Sequence, residues 1–332
     1  MKRKSALLAV AAMGYAGACF AAGQPVIGLI TKTDTNPYFV TMQKGAQQEA
    51  TKLGAKLITA AGKFDGDNAS QVNAIENMMA AGAKTILITP GDSKAIVPTI
   101  EKARKQGVMV IALDSPTDPT NAVNALFATD NYQAGELIGK YARVDMKGKK
   151  PVIATLDLFP GSPVGAQRHN GFMKGFGLKA DSAKSNELSK SPEIVCMADT
   201  SGDQAKGQTA MQNCLQKDPN INLVYAINEP AAAGAYQALK QAGKADGVAI
   251  VAIDGGCKGV EQVKEGIITA TAQQYPLKMA ALGVKAGVEY AKTGKMVSGY
   301  HNTGVNLITD KPLAGVPSRG TKFGMDMCWG NR

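Results

Sequence analysis

The stretch that decides the fold is residues 26–58, VIGLITKTDTNPYFVTMQKGAQQEATKLGAKLI. It opens on an apolar run at 26–30 that is typical of a buried strand, and polar residues follow at 31–36. Apolar side chains then recur at helical spacing, at Phe39, Met42, Ala46, Ala50 and Leu53. A second short strand is predicted at 56–58. A strand, a helix and another strand in this order form the repeating unit of a parallel α/β sheet.

The same alternation continues along the chain. Further strands are predicted at 85–88, 108–113, 152–156, 194–197, 222–225, 248–253 and 268–272. Helices are predicted at 70–80, 94–105, 131–145, 164–175, 203–216, 230–241 and 276–292. The alternation begins again after Asp130, and a chain of 332 residues is longer than one hydrophobic core usually serves. We therefore predict an α/β protein with two domains, each a parallel sheet covered by helices on both faces.

The N-terminus is typical of a secretory signal peptide. Three cations at 2–4 precede an uncharged apolar stretch at 6–20, and small residues follow. That stretch is shorter than the roughly 20 residues of a membrane-spanning helix. We predict that residues 1–22 are a signal peptide, cleaved near residues 21–23, and that the mature protein is exported. Cys19 leaves a lipoprotein as the alternative.

Composition and motifs argue against several functions. The formal charge is +10, but the basic residues are spread along the chain and aromatic residues make up only 5%, so no nucleic-acid site is predicted. The sequence lacks dinucleotide-binding, P-loop and nucleophile-elbow motifs. The two histidines, His169 and His301, have no metal-ligand spacing beside them. We expect no catalysis, no metal and no cofactor.

Residues 65–68, DGDN, are similar to the start of a calcium-binding loop. Ala69 and Ser70 stand where such a loop needs an oxygen ligand and a glycine, so we reject this interpretation. We predict instead that Asp67 or Asn68 caps the helix that follows.

The cysteines favour disulfides. Cys19 lies in the predicted signal peptide, which leaves four cysteines in the mature protein, and an even number in an oxidising compartment is typical of a disulfide framework. Cys196 and Cys214 are close in sequence, across a strand and the helix after it, so we favour this pair. Cys257 and Cys328 then remain, and the other two ways of pairing four cysteines stay open.

Polar residues follow the carboxyl ends of most predicted strands, where open α/β sheets bind ligands. They lie at 31–39, 89–93, 114–115, 228–229, 254–256 and 273–274. Carboxylates and amides bind hydroxyl groups, and the rings of Tyr38 and Phe39 can cover the C–H face of a sugar. We therefore predict a site for a neutral polyol in a cleft between two closing lobes. Purely structural interpretations remain open for a helix cap, two turn residues and a surface cation: Asn36, Asp114, Asp254 and Arg168.

Seven segments, taken in order, resemble those of the ribose-type periplasmic sugar-binding proteins over residues 26–313. They are TDTNPYF at 33–39, IALD at 111–114, ATDN at 128–131, RHNGF at 168–172, INEP at 227–230, DGGC at 254–257 and QQYP at 273–276. The resemblance implies the periplasmic binding protein type I fold, with two doubly wound parallel-sheet lobes joined by three hinge crossings. It also implies a monomeric, periplasmic sugar-binding component of an ABC importer, whose partners are a monosaccharide and an inner-membrane permease.

The resemblance places the hinges near 129–130, 274–275 and 303–304. The N-terminal lobe then comprises 23–129 plus 275–304, and the C-terminal lobe comprises 130–274 plus 305–332. A periplasmic sugar sensor that serves a chemoreceptor or a two-component system is the alternative function.

Within this family the resemblance is strongest to members that import fructose. It rests on ITKTDTNP at 30–37, INEPAAAGAY at 227–236, DGGC at 254–257, QQYPL at 273–277 and CWG at 328–330. It implies fructose as the main ligand, with ribose and mannose as lesser ones. Compared with ribose-binding members, Ser115 replaces an arginine and no aromatic residue lies at 200–203. Both departures enlarge or re-polarise the pocket, which favours a hexose or ketose over ribose.

The family's ligand-binding residues carry over to nine positions. From the N-terminal lobe the resemblance implies two hydroxyl-binding residues, an aromatic pair and a lysine, which are Asn36, Asp114, Tyr38, Phe39 and Lys32. From the C-terminal lobe it implies an arginine and three amide or acid groups, which are Arg168, Asn228, Asp254 and Gln274.

Overall fold

The structure is a computed structural model that describes residues 23–330. The predicted signal peptide, Cys19 included, lies outside the described residues, as do residues 331–332. Within 23–330, no helix has the length and apolar character needed to cross a membrane.

Strands and helices alternate along the described chain. In order they are β1 (Val26–Thr31), α1 (Pro37–Lys52), β2 (Lys56–Ala61), α2 (Asn68–Ala80), β3 (Thr85–Ile88), α3 (Val97–Lys105), β4 (Met109–Leu113), β5 (Ala125–Ala128), α4 (Asn131–Asp145), β6 (Ile153–Asp157), α5 (Pro163–Phe176), β7 (Ile194–Asp199), α6 (Gln204–Lys217), β8 (Leu223–Ala226), α7 (Glu229–Gln241), β9 (Ala249–Asp254), α8 (Cys257–Lys264), β10 (Ala270–Gln273), α9 (Pro276–Thr293), β11 (Gly299–Asn302), β12 (Asn306–Ile308) and α10 (Thr321–Met327).

The first sheet has the strand order β11-β5-β4-β3-β1-β2, and every neighbouring pair is parallel. Alternate residues of its strands point to opposite faces. On β1, Ile27 and Leu29 join the core formed with α1 and α9, whereas Ile30 joins the core formed with α2 and α3. Both faces of this sheet are therefore buried, as its apolar strands predict.

The second sheet has the order β12-β10-β9-β8-β6-β7 and forms one large core with α4, α5, α6 and α7. All of its pairs are parallel except β12 with β10. This exception follows from the connection, because β11 leaves the first sheet at its carboxyl edge and residues 303–305 enter the second sheet at its carboxyl edge. A strand that enters there must run against its neighbours.

The chain passes between the two sheets three times, after β5, after β10 and after β11. After the first passage α4 packs on β9 and β10, and after the second passage α9 packs on β3 and β4. The two-lobed, doubly wound α/β architecture predicted from the sequence is thus confirmed. Five elements were not predicted, and all five are short: β5, β11, β12, α8 and α10.

Helices α4 and α5 meet backbone to backbone through two pairs of glycines. A Cβ at Gly135 would lie 2.1 Å from the carbonyl oxygen of Arg168, and one at Gly175 would lie 2.1 Å from that of Glu136. Gly139 and Gly171 meet the facing helix in the same way. This close approach places Arg168 beside Asn131 at the start of α4, at the edge where the two sheets face each other.

We predict that Gly175→Ala lowers the free energy of unfolding by about 2 kcal/mol or more, because the new methyl group meets rigid backbone and forces the helices apart. Urea denaturation of the purified variant measures the effect. The matched control is Gly247→Ala, an exposed glycine with nothing within 4 Å of the added Cβ. Equal unfolding midpoints for the two variants would contradict the close helix contact.

Candidate functional site

The nine residues predicted from the sequence line one cavity of about 40 Å³ between the two sheets. Eight of them lie at or after the carboxyl ends of strands, where the loops of both sheets face each other, and Arg168 reaches the cavity from α5. The structure adds six lining residues that the sequence analysis did not assign to the site, which are Asp65, Leu158, Val164, Ser201, Gly202 and Ile227. Leu158, Val164 and Ile227 are the apolar residues that the second sheet and its loops and helices contribute to this lining.

Asn36 and Tyr38 lie at the start of α1. The Asn36 side chain accepts a hydrogen bond from the Tyr38 backbone N–H at 3.0 Å, so it both caps the helix and lines the cavity. The Tyr38 hydroxyl is buried and lies 2.9 Å from Asp114 Oδ1 and 3.2 Å from Gln274 Oε1. Burial, together with the nearby Asp114 carboxylate, raises the pKa of Tyr38 well above its usual value. Tyr38 is therefore a neutral hydroxyl that joins side chains of both sheets.

Asp114 directly follows β4 and has a left-handed backbone conformation, with φ of 64°. A residue other than glycine rarely adopts this conformation outside turns and functional sites. Its carboxylate accepts a hydrogen bond from the Ser115 hydroxyl at 2.9 Å as well as from Tyr38. Ser115 itself does not line the cavity, so it acts on the site through Asp114.

Arg168 and Asp254 form the charged centre of the second lobe's half of the site. Arg168 is only 4% exposed, so its interpretation as a surface cation is wrong. Its guanidinium donates to Asn131 Oδ1 at 2.8 Å and to the Ile227 carbonyl at 2.9 Å, and it lies 3.3 Å from Asp254 Oδ1. Asp254 also accepts from Gln274 Nε2 at 2.6 Å. Burial raises the pKa of Asp254 to about 6, although Arg168 and Gln274 act in the opposite direction.

Asn228 of the site caps a helix, and its neighbour Glu229 braces a turn beside the site. Asn228 accepts from the Ala231 N–H as the cap of α7, and it donates to the Gly202 carbonyl. Glu229, next along the chain, lies outside the 40 Å³ cavity but accepts hydrogen bonds from Gly255, Gly256 and Thr271. It thereby fixes the turn that follows Asp254.

Lys32 and Asp65 form a second buried ion pair, with Lys32 Nζ 3.5 Å from Asp65 Oδ1. Burial raises the pKa of Asp65, and the lysine opposes this shift. Asp65 belongs to the segment that is similar to a calcium loop, and Asp67 of that segment caps α2, as predicted. Within 23–330 no group of three or more histidines, cysteines or carboxylates is arranged to hold a metal ion.

The small cavity adjoins a larger cleft of about 650 Å³, which shares part of its lining. The shared residues are Asn36, Phe39, Asp65, Ser201, Gly202 and Asp254. The lining of the 40 Å³ cavity combines carboxylates, amides and two cations with apolar side chains that include Phe39 and Leu158. This set of groups can bind several hydroxyls and cover an apolar ring face, and it lacks an activated nucleophile.

The cysteines are paired as favoured from the sequence. Cys196 of β7 is bonded to Cys214 of α6, and Cys257 at the start of α8 is bonded to Cys328 after α10. The first pair lies in the second lobe's core, and the second attaches the C-terminal segment beside Asp254.

Comparison with known proteins agrees with this geometry. The profile of the family described as periplasmic binding protein domain matches residues 27–296. The ribose import binding protein of Salmonella typhimurium is 32% identical over 302 residues, covering 90% of this chain and 96% of that protein. The D-allose-binding periplasmic protein of Escherichia coli is 30% identical over 284 residues, covering 84% of this chain and 88% of that protein.

A solved structure shares the fold. An ABC transporter periplasmic solute binding protein from Actinobacillus succinogenes, with bound D-allose, has a TM-score of 0.75 and 29% identity, covering 86% of this chain and 98% of that chain. These relatives are solute-binding proteins, which confirms the expectation of a binding protein rather than an enzyme. The chain belongs to the periplasmic binding protein family, among the sugar-binding components of ABC transporters.

Proposed function

We propose that this protein binds one monosaccharide in the periplasm and delivers it to an inner-membrane ABC permease, and that fructose is its main ligand. The observation that carries the proposal is the meeting of nine residues, from both lobes, around one cavity. Ribose and allose appear in the names of the similar proteins, which supports a monosaccharide ligand.

Binding of a sugar by these residues would use all parts of the cavity. Asp114 and Asp254 would accept hydrogen bonds from hydroxyls, while Arg168 and Lys32 would donate to ring or hydroxyl oxygens. Asp65 Oδ1 lies 3.5 Å from Lys32 Nζ but makes no hydrogen bond among residues 23–330, so it would accept from a sugar hydroxyl while it stays paired with the lysine. Phe39 would cover one face of the ring and Leu158 the other.

Two observations support a hexose or ketose over ribose. Ser115 is a small side chain that donates to Asp114, where a longer cation would take up space and add charge. Leu158 and Val164 form the second lobe's wall with aliphatic rather than aromatic side chains. The pocket is therefore larger and less positively charged beside Asp114 than one with an arginine at position 115, and its second-lobe wall is aliphatic instead of aromatic. Fructose is the ligand that the resemblance implies, with ribose and mannose as lesser ligands.

We propose that the ligand is taken up by rotation of the lobes about hinges near 129–130, 274–275 and 303–304. The N-terminal lobe would be 23–129 plus 275–304, and the C-terminal lobe 130–274 plus 305–332. Gln274 lies at one hinge and contacts Tyr38 and Asp254, so closure would bring all three around the sugar. The closed monomer, exported by its signal peptide, would then dock on the permease.

Calorimetric titration of the mature protein with fructose, ribose, mannose and allose tests this function. We expect one sugar per chain, with the tightest binding for fructose. Tighter binding of ribose would reject fructose as the main ligand but keep the sugar-binding function. No heat and no thermal shift with any monosaccharide would overturn the function itself.

A further inference from the structure

The segment after α10 passes from the second lobe to the first. Helix α10 packs on α8 and β12 of the second lobe, and Cys328 is bonded to Cys257 there. The next residue, Trp329, instead belongs to the core of the first lobe, together with Tyr38 and Phe39. Trp329 is the only tryptophan in the chain and is 6% exposed. This segment thus connects the lobes in addition to the three passages of the chain.

Trp329 contacts two of the predicted sugar-binding residues. Its indole N–H donates to the backbone carbonyl of Gln274 at 2.9 Å. Its ring meets that of Tyr38 edge to face, with 5.1 Å between the ring centroids and 81° between the planes. Its own carbonyl accepts from the Cys257 N–H at 2.9 Å, next to the disulfide. Trp329 is therefore anchored to residues of the second lobe, while its ring packs against Tyr38 in the core of the first lobe.

Trp329 does not line the 40 Å³ cavity, which Tyr38 does line, but it lines the adjoining cleft of about 650 Å³. The Tyr38 hydroxyl in turn contacts both Asp114 and the Gln274 side chain. An indole that fixes the Tyr38 ring and the Gln274 backbone fixes the two groups that join the halves of the site. An effect of Trp329 on the groups of the 40 Å³ cavity therefore passes through these neighbours.

We propose that Trp329 is a positioning residue of the sugar site and that the Cys257–Cys328 disulfide holds it in place. The inference rests on the proposed sugar-binding function and adds a residue and a covalent bond to it. Sequence reasoning noted the C-terminal CWG segment only as part of a resemblance, because no strand-end rule leads from residue 329 to the site. The disulfide is what brings it there.

Affinity measurements on variants test the role. Trp329→Ala removes both the ring contact and the indole donor, so we expect sugar affinity to fall about tenfold or more. Trp329→Phe keeps a ring against Tyr38 without the N–H, so we expect partial rescue, to within about threefold of the wild type. Circular dichroism and thermal melting check that each variant is folded. A folded Trp329→Ala protein with wild-type affinity would overturn the proposal.

Two measurements test the part played by the disulfide: quenching of the single tryptophan's fluorescence, which needs no sugar, and sugar affinity. In the Cys257→Ser/Cys328→Ser double variant we expect stronger quenching of Trp329 by acrylamide and a loss of affinity similar to that of Trp329→Ala. The matched control is Cys196→Ser/Cys214→Ser, which removes a disulfide of the same lobe away from the site and should leave affinity and quenching unchanged.

The outcomes separate the two proposals. Unchanged quenching and affinity in the Cys257→Ser/Cys328→Ser variant would show that the disulfide does not hold the indole. If the wild type binds sugar and folded Trp329→Ala binds it equally well, only the positioning role is overturned. A wild-type protein that binds no sugar would overturn the sugar-binding function, and the positioning role with it.

Discussion

Replacing Asp254 with alanine is expected to lower sugar affinity about 100-fold or more while the protein remains folded. The Asp254 carboxylate lies at the centre of the site, where it contacts Arg168 and Gln274. Its removal takes away an acceptor for sugar hydroxyls and leaves the buried guanidinium of Arg168 without its acidic partner. Truncating one member of a buried, hydrogen-bonded charge pair commonly costs about 2–5 kcal/mol of binding free energy.

Calorimetric titration with the sugar that the wild type binds best measures this loss. Asp254→Asn is the conservative variant, since it keeps the side chain's shape and an acceptor for Arg168 but removes the charge. We expect its sugar affinity to lie between that of the wild type and that of Asp254→Ala. Asp246→Ala, at an exposed turn before the amino end of β9 and so at the opposite edge of the sheet from Asp254, is the matched control for removing an aspartate. Wild-type affinity in a folded Asp254→Ala protein would remove Asp254 from the site.

Much of the site could be predicted because parallel strands bring their carboxyl ends to one edge. Asn36, Asp114 and Asn228 follow strands whose apolar runs end sharply, so their places were visible in the sequence. The rule itself also covers Asp65 and Ser201, since both follow strands of the same sheets. They were missed because the predicted ends of those strands fell short of the observed ones.

The missed strand ends have a physical cause. Strand β2 ends at Ala61 and β7 at Asp199, whereas the sequence predicted ends at 58 and 197. Both strands lie at sheet edges, where side chains are half-exposed and small or polar residues are tolerated. Their apolar pattern therefore fades before the strand does, so the pattern does not mark the loops after them as strand-end loops. The central strands β3 and β4 are fully buried, and their ends were placed correctly.

Other features could not be read from a local pattern. The burial of Arg168 depends on the glycine contacts between α4 and α5, which a single helix does not reveal. The approach of Trp329 to Tyr38 depends on a disulfide between residues 71 positions apart in the sequence. Both are long-range consequences of packing, so the default expectation for an arginine, exposure to solvent, was wrong here.

The stability of the wild type relative to Glu229→Gln is expected to fall as pH rises from about 5 to about 8. Glu229 is buried, and a Cβ at Gly259 would lie only 1.8 Å from its Cδ, so only glycine leaves room for this carboxyl group. Burial, with the nearby Asp254 carboxylate, raises the pKa of Glu229 from 4.5 to about 8, although its three hydrogen-bond donors act in the opposite direction.

The direction of the effect follows from proton binding. Between pH 4.5 and 8 the folded protein holds a proton on Glu229 that the unfolded chain has lost, so raising the pH favours unfolding. The destabilisation is absent below pH 4.5 and complete above pH 8, and the full shift corresponds to as much as about 5 kcal/mol. The glutamine variant cannot ionise and lacks this dependence. Its amide meets the N–H of Gly255 or Gly256, which adds a loss of stability that does not vary with pH.

Urea denaturation of both proteins at pH 5, 6.5 and 8 measures the slope of the stability difference, which is independent of any constant offset. Glu101→Gln, on the exposed face of α3, changes the net charge equally without touching a buried group. A slope shared by both variants would come from overall charge rather than from Glu229. A flat difference, or one in which the wild type gains stability with rising pH, would show that Glu229 is ionised in the folded protein at neutral pH. The turn after Asp254 would then be held by a carboxylate anion rather than by a neutral acid.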